Sequence, residues 1–318
     1  MQSTNLSISQ PTRLLSSQDR LSRMRRSIKR NAAPYLFLAP FLIVFLAFMV
    51  FPLLYALRLS LFRTRIIGGT TFVGLENYGR AFMDSDFWDG IRNVLTFGAI
   101  QIPIMLGLAL VFALLLDSGT IRRLTIFRLG FFLPFAVPSV VAALLWGYLY
   151  GQSFGPLAQI AHAFGLPPPP AFLLTAAGII PALANISTWQ YTGYNMLILY
   201  AALQAIPREL YEVARVDGAS DWHIATRIRI PLIMPALFLT IIFSIIGTLQ
   251  LFNEPQVLRV LAPGVINLHF TPNYYVYTLA FQNRQFDYSA AIAFSLAIVT
   301  AILSSLVLFL TFRREENS

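Results

Sequence analysis

Two apolar stretches carry polar side chains at spacings that could handle a hydroxylated solute. At 100° per residue, Asn185, Thr188, Tyr191, Thr192 and Asn195 fall on one face of a helix, a stripe about 120° wide. Amides and hydroxyls donate and accept together, as sugar hydroxyls do. Tyr191 and the nearby Trp189 offer rings for the apolar face of a pyranose. The same residue types also supply hydrogen bonds between membrane helices, and the stripe by itself serves either use. Further on, Ser244, Gly247, Leu251 and Glu254 share a face, flanked by Gln250 and followed closely by Asn253. A carboxylate at a membrane helix centre costs about 2.5–3.5 kcal/mol on insertion scales. Glu254 is expected near the outer end, lining an outward mouth or sitting in water beside Arg259.

A different chemistry sits between Pro207 and Pro235, in PRELYEVARVDGASDWHIATRIRIPLIMP. Pro207 suits a helix first turn, which needs no backbone donor there. Glu209 and Glu212 then place negative charge at the positive end of that helix. Asp217-Gly218 ends it, because glycine tolerates the left-handed conformation of a helix end. Ser220 or Asp221 can cap a second helix, which must break or bend near Pro231. Leu210, Val213 and Ala214 lie together at helical spacing, with Glu209, Glu212 and Arg215 as charged neighbours. A helical hairpin with a gripping face and a soluble rim is the expected result.

The elements that position these residues are membrane helices. The chain has 318 residues, of which 57% are hydrophobic and 12% charged, against about 45–50% and 25% in ordinary soluble domains. A crossing needs about 20 apolar residues, and six stretches qualify: 35–61, 91–116, 129–150, 176–204, 236–256 and 288–312. Basic residues gather in four segments: the first 34 residues, 117–128, 205–235 and the end of the chain. Six crossings put these on one side, with 16 of the 23 Lys and Arg. Basic residues accumulate in the cytoplasm, so both termini and the hairpin are expected there. Arg58, Arg63, Arg65 and Arg80 run against this assignment. The layout is a basic tail over 1–34, a membrane domain over 35–312 and a short cytoplasmic tail over 313–318. Leu14, Leu21, Met24 and Ile28 allow the tail a helix lying on the anionic leaflet, and a disordered basic tail is the preferred alternative.

Several functions are excluded by residue type. With no cysteine there is no disulfide, thiolate catalyst or thiolate metal site. His162, His223 and His269 are dispersed without ligand-like spacing, so no metal is expected. Lys29 is the only lysine and stands in RSIKR, not in a glycine-rich phosphate loop. Any ATP hydrolysis that powers this chain takes place on another polypeptide. No paired carboxylates or Ser/His/Asp arrangement points to an enzyme. The charge of +9 is topological, and no groove-reading or aromatic-rich basic face points to nucleic acid. An ion-driven transporter would show charged or unwound midplane sites in several helices, and most crossings lack a midspan carboxylate.

Glu212-Val213-Ala214, Asp217-Gly218-Ala219-Ser220, Trp222, Ile228, Ile230-Pro231 and Pro235 resemble the cytoplasmic coupling loop of bacterial ABC importer permeases. The sequence departs from that pattern at Val213, Ala225 and Ile230, where alanine, phenylalanine and leucine are usual. Phe72-Val73-Gly74-Leu75-Glu76-Asn77-Tyr78, Leu203-Gln204-Ala205-Ile206-Pro207 and Gln250-Leu251-Phe252-Asn253 look like segments of the carbohydrate-type, maltose and glycerol-phosphate permease-like branch. The resemblance spans roughly 35–312. It implies an all-α integral membrane protein of the type I importer fold in the bacterial inner membrane, with six helices and cytoplasmic termini. It also implies a second homologous permease chain, two ATPase subunits holding ATP and Mg, and an extracytoplasmic solute-binding protein. The residues it assigns to ATPase coupling are Glu209, Glu212, Ala214, Asp217, Gly218, Ala219, Trp222 and Pro231. The same loop also fits permeases for amino acids, peptides or ions, so the outer and fifth-crossing segments carry the sugar assignment. Pro167 to Pro170 form a stiff outer link, expected as a spacer.

Overall fold

The computed structural model describes residues 32–65, 67–119, 123–167 and 171–315. Lys29 and the rest of the basic tail through residue 31, Arg122, and Pro168–Pro170 of the outer link lie outside the described residues. Two compact units are distinguished, 1–56 and 57–318. The first holds α1 (Ala32–Phe45), a π-turn, Leu46–Val50, and the first six residues of α2 (Phe51–Ser60), whose last four residues belong to the second. The described side chains of the first unit are almost all exposed, Phe37 and Phe48 among them. Such a surface is stable only against lipid or another chain.

The second unit holds the remaining elements: β1 (Phe62–Arg65), β2 (Gly69–Phe72), α3 (Glu76–Met83), α4 (Ser85–Asp117), α5 (Leu124–Phe132), α6 (Ser139–Leu149), α7 (Pro156–Ala163) and α8 (Ala176–Gln204). They are followed by α9 (Glu209–Val216), α10 (Asp221–Ile224), α11 (Ile230–Leu232), α12 (Met234–Leu249), α13 (Asn253–Leu258), α14 (Pro272–Tyr277) and α15 (Phe286–Glu315). Among the described residues, four helices are long and apolar enough to cross a membrane: Leu36–Ser60, Ser85–Asp117, Met234–Leu258 and Phe286–Leu306. The expected third crossing is not one rod. Leu124–Ala136 and Ser139–Leu149 meet at 94° and make a fifth span if taken together. The expected fourth, α8, has 29 residues, about 44 Å at 1.5 Å per residue. Its polar stripe keeps it outside the apolar set. It is instead the most buried helix, and it packs most extensively on α4.

A wholly helical chain was expected, and the outer segment corrects this with a short antiparallel hairpin, β1 to β2, in which Phe62 faces Phe72 and Arg65 faces Gly69. Thr70, Thr71 and Phe72 favour a pleated surface. Gly68 and Gly69 take φ of 110° and 72° at the turn, which side chains disfavour. The segment from Phe72 to Tyr78 then staples this hairpin in place. Asn77 is buried and donates to the carbonyls of Ser60 (2.9 Å) and Phe62 (2.8 Å). Tyr78 meets the Ser60 hydroxyl at 2.7 Å, and Glu76 pairs with Arg63 at 2.8 Å. The arginines that ran against the charge rule are thus largely engaged locally. Arg58 lies over Phe62 and Arg80 over Tyr288, 5.4 and 3.8 Å from the ring centres.

Asp84 fastens together the N-terminal end of α4, α14 and the N-terminal end of α15. One carboxylate oxygen caps α4 through the Asp86 amide, and the other accepts from Tyr275 (2.8 Å) and Tyr288 (2.5 Å). Burial and the Asp84 bond push the Tyr275 hydroxyl well above its usual range. Asp84→Ala removes both acceptors at once. Charge-assisted bonds are worth about 1.5–3 kcal/mol each, so a lower melting temperature of the purified complex is expected. Unchanged melting would mean the hydroxyls find water equally well.

Candidate functional site

Two interrupted helices build one cavity. The first interruption lies between α5 and α6. Pro134 and Pro138 cannot donate, and Val137, placed before a proline, is extended with ψ of 125°. Gln190 from α8 donates to the freed Val137 carbonyl at 2.7 Å. The second interruption, at residues 250–252, was not foreseen. Pro255 has no N–H for the Leu251 carbonyl four residues earlier, and Phe252 leaves helical geometry with φ of −144°. Thr271 takes the Leu251 carbonyl at 2.9 Å, and Asn273 reaches that of Leu249 at 3.4 Å. Broken backbone at membrane depth persists only with such partners or beside water. Asn253 then joins the two breaks, donating to the Ser139 hydroxyl at 2.8 Å.

The cavity between them measures about 310 Å³. From the expected set it takes Tyr191 and Asn195 of α8, and Ser244, Gly247, Gln250, Leu251, Asn253 and Glu254 of the broken span. Ser139, Gln101, Ser187, Thr248 and Tyr194 also line it and were not anticipated. Phe135 positions the aromatic wall: Tyr194 stacks on it at 4.5 Å and Tyr191 meets it edge-on at 5.8 Å. Three members of the stripe do other work. Asn185 donates to the Tyr150 hydroxyl at 2.7 Å. Thr192 is buried and returns its hydroxyl to the Thr188 carbonyl, and Thr188 is buried as well. Trp189 packs edge-on against Trp146 in the core. Within this helix, solute-facing and helix-bonding residues are interleaved.

Glu254 is 6% exposed. Arg259 is turned away to the Ile266 carbonyl, and among the described residues no cation pairs with Glu254. The cavity lining holds no Lys, Arg or His.

The 207–235 segment folds as a hairpin. α9 begins at Glu209, two residues after Pro207, whose carbonyl accepts from Leu210. It ends in a paired turn: Ala219 N–H returns to the Ala214 carbonyl at 2.9 Å and Gly218 N–H to Arg215 at 3.0 Å. This closure requires the left-handed residue, Gly218, with φ of 84°. Ser220, not Asp221, supplies the cap, accepting from the His223 amide. Before Pro231 the backbone widens into a π-turn, Ala225–Arg229, so the bend is absorbed there without a stop. Val213 and Trp222 stand 62% and 76% exposed. Leu210 is also exposed, with Glu209, Glu212, Asp217 and Pro231 around them, whereas Ala214 and Ala219 are half-buried. Tyr211 and Ile224 point inward. Burial and the charge of Asp117 push the Tyr211 hydroxyl up, partly offset by Arg229.

Residues 105–314 match the family described as the inner membrane component of binding-protein-dependent transport systems. The lactose transport system permease protein LacF of Rhizobium radiobacter is 34% identical over 286 residues, covering 89% of this chain and 95% of that one. The trehalose/maltose transport system permease protein MalF of Thermococcus litoralis is 31% identical, covering 88% and 94%. The arabinooligosaccharides transport system permease protein AraP of Bacillus subtilis is 31% identical, covering 89% of each. In fold, the chain is similar to a solved bacterial ABC transporter involved in the import of the acidic polysaccharide alginate. The TM-score is 0.81 at 22% identity, with 92% of this chain and 99% of that one covered. The hairpin, the broken spans and the family match agree: this chain belongs to the inner membrane components of binding-protein-dependent transport systems.

Proposed function

We propose that the chain is the permease subunit of an ATP-driven importer for saccharides or polyols. It crosses the membrane six times with cytoplasmic termini, and with a second homologous permease it encloses the path. A solute-binding protein delivers cargo from outside. Two ATPase subunits, holding ATP and Mg, grip the hairpin through Val213, Trp222 and their acidic rim. The observation that carries the saccharide reading is the cavity. Its amides, hydroxyls and tyrosine rings offer paired donors and acceptors beside aromatic faces. The relatives named for lactose, arabinooligosaccharides and trehalose/maltose point the same way.

Glu254 narrows the class. A carboxyl group facing a cavity lined by no Lys, Arg or His offers uronate or phosphorylated sugars no counter-charge, whereas neutral sugar hydroxyls can donate to it or accept from it. Neutral saccharides are the expected cargo. The test is ATP-driven uptake in proteoliposomes containing the complete transporter and its binding protein, with the imported solute identified by mass spectrometry. A neutral saccharide is expected; an acidic one would remove the role of Glu254, and a non-saccharide would remove the sugar reading. Asn253→Ala loses the bond between the two breaks. At about 1 kcal/mol for that bond, uptake is expected to fall about fivefold with ATPase binding intact. Uptake equal to wild type would place the cargo elsewhere.

A further inference from the structure

The root of the hairpin is held by charges buried from water. Arg229, the last residue of the π-turn, brings Nε to 3.2 Å from Oδ2 of Asp117, and the two side chains are only 8% and 6% exposed. Asp117 is the last residue of α4. Its other oxygen accepts from Gln204 Nε2 at 2.6 Å, and Gln204 is the last residue of α8. The Tyr211 ring, from α9, lies 4.7 Å beneath the Arg229 guanidinium. One arm of the hairpin therefore meets the last residues of the two central helices at one carboxylate, and the other arm reaches it through Arg229. The same four residues, with Arg208, Glu212 and Arg215, line a cavity of about 290 Å³, so little apolar packing bridges the gap on that side.

A buried ion pair is a poor source of net stability, since desolvation offsets most of the attraction. It is, however, short-ranged, and losing one partner strands the other. We infer that Asp117 and Arg229 are positioning residues that tie the hairpin to α4 and α8, passing its displacement to the cavity wall. The levers are direct: α4 carries Phe97 and Gln101 to the cavity, and α8 carries Tyr191 and Asn195. Gln204 holds the second lever to the same carboxylate, and Tyr211 keeps Arg229 aimed at it. The inference rests on the reading of the hairpin as the ATPase grip and adds the route by which force leaves it.

The test uses the complete transporter in proteoliposomes with Mg-ATP and its own binding protein, loaded with the solute with which it purifies. The readout is the ratio of ATPase rates with and without that protein. Asp117→Asn keeps shape and removes charge; Arg229→Gln does the same from the other side. Each is expected to keep the ATPase subunits bound but to cut the stimulation ratio about fivefold or more, the lower range of ordinary coupling between sites. Gln204→Ala, at an exposed position, is expected to give a smaller loss in the same direction. Wild-type ratios in all three would overturn the inference. If neither single charge variant assembles, the exchanged pair Asp117→Arg with Arg229→Asp decides. Assembly with stimulation regained supports the tie; assembly without stimulation, or no assembly, overturns it. Glu212→Lys separates the two layers. If it releases the ATPase while Asp117→Asn stays fully stimulated, only the tie fails. If it leaves ATPase binding and stimulation intact, the grip itself fails.

Discussion

Gly193→Val is expected to abolish the folded transporter. A Cβ at this position would lie 1.7 Å from the Phe131 carbonyl oxygen and 2.4 Å from its carbon. The obstacle is backbone, so no rotamer change relieves it. α8 here lies directly against the end of α5, just before the break that shapes the cavity. Small residues permit such approaches between membrane helices. Overpacking ordinarily costs about 1–3 kcal/mol, and displacing a whole helix end belongs at or above that range. Even Gly193→Ala is expected to lose much of the assembled complex in size-exclusion chromatography. Gly107→Ala is the matched control, since nothing lies within 4 Å of its added Cβ. Replacing glycine inside a helix there should gain about 0.5–1 kcal/mol. Equal yields for Gly193→Val and wild type would show that the helices are not so close in the membrane.

Val213→Asp combined with Trp222→Asp is expected to strip the ATPase from the complex while leaving the membrane bundle folded. Both side chains are largely exposed, so their replacement disturbs no internal packing. Exposed aromatics are the usual anchors of interfaces, where truncation costs about 2–4 kcal/mol or more. Trp222 supplies such an anchor, and a carboxylate at Val213 adds a buried unpaired charge to the same contact. Co-purification of the ATPase with a tagged permease should therefore fall to background, and uptake with it. Glu212→Lys reverses one rim charge and is expected to weaken association more at low salt than at high salt. Retention of the ATPase by the double variant would mean that the grip lies elsewhere on the chain.

Much of the hairpin was legible in the sequence because its signals are local. Gly218 stops α9 and Ser220 caps α10 through bonds spanning three to five residues. Pro207 missed its place by two positions, within the ordinary uncertainty of helix ends. The broken-span half of the cavity was also legible, since Ser244, Gln250, Asn253 and Glu254 stand out from an apolar run. Its break was marked by Pro255, a signal that could have been read: the missing donor frees Leu251 one turn earlier. Ser139, Gln101 and Tyr194 were not legible, because their role depends on which helices meet. For the same reason the stripe on α8 divided unexpectedly: Tyr191 and Asn195 line the cavity, although the Asn195 amide also bonds the Tyr191 carbonyl, and Thr192 turns to its own backbone. The Asp117–Arg229 pair joins residues 112 positions apart, and no spacing rule reaches that far. Composition located the spans well but missed the 94° bend at Val137, although Pro134 and Pro138 bracket it.

On the proposed function, energy released on an ATPase enters this bundle through the hairpin and moves a saccharide inward. The most direct test of this is uptake by proteoliposomes of the complete transporter, loaded with Mg-ATP and supplied with the binding protein outside. Saccharide accumulation should require both and vanish with Val213→Asp/Trp222→Asp, whatever ion gradient is imposed. Accumulation that persists without ATP and collapses when the ion gradient is dissipated would contradict the account.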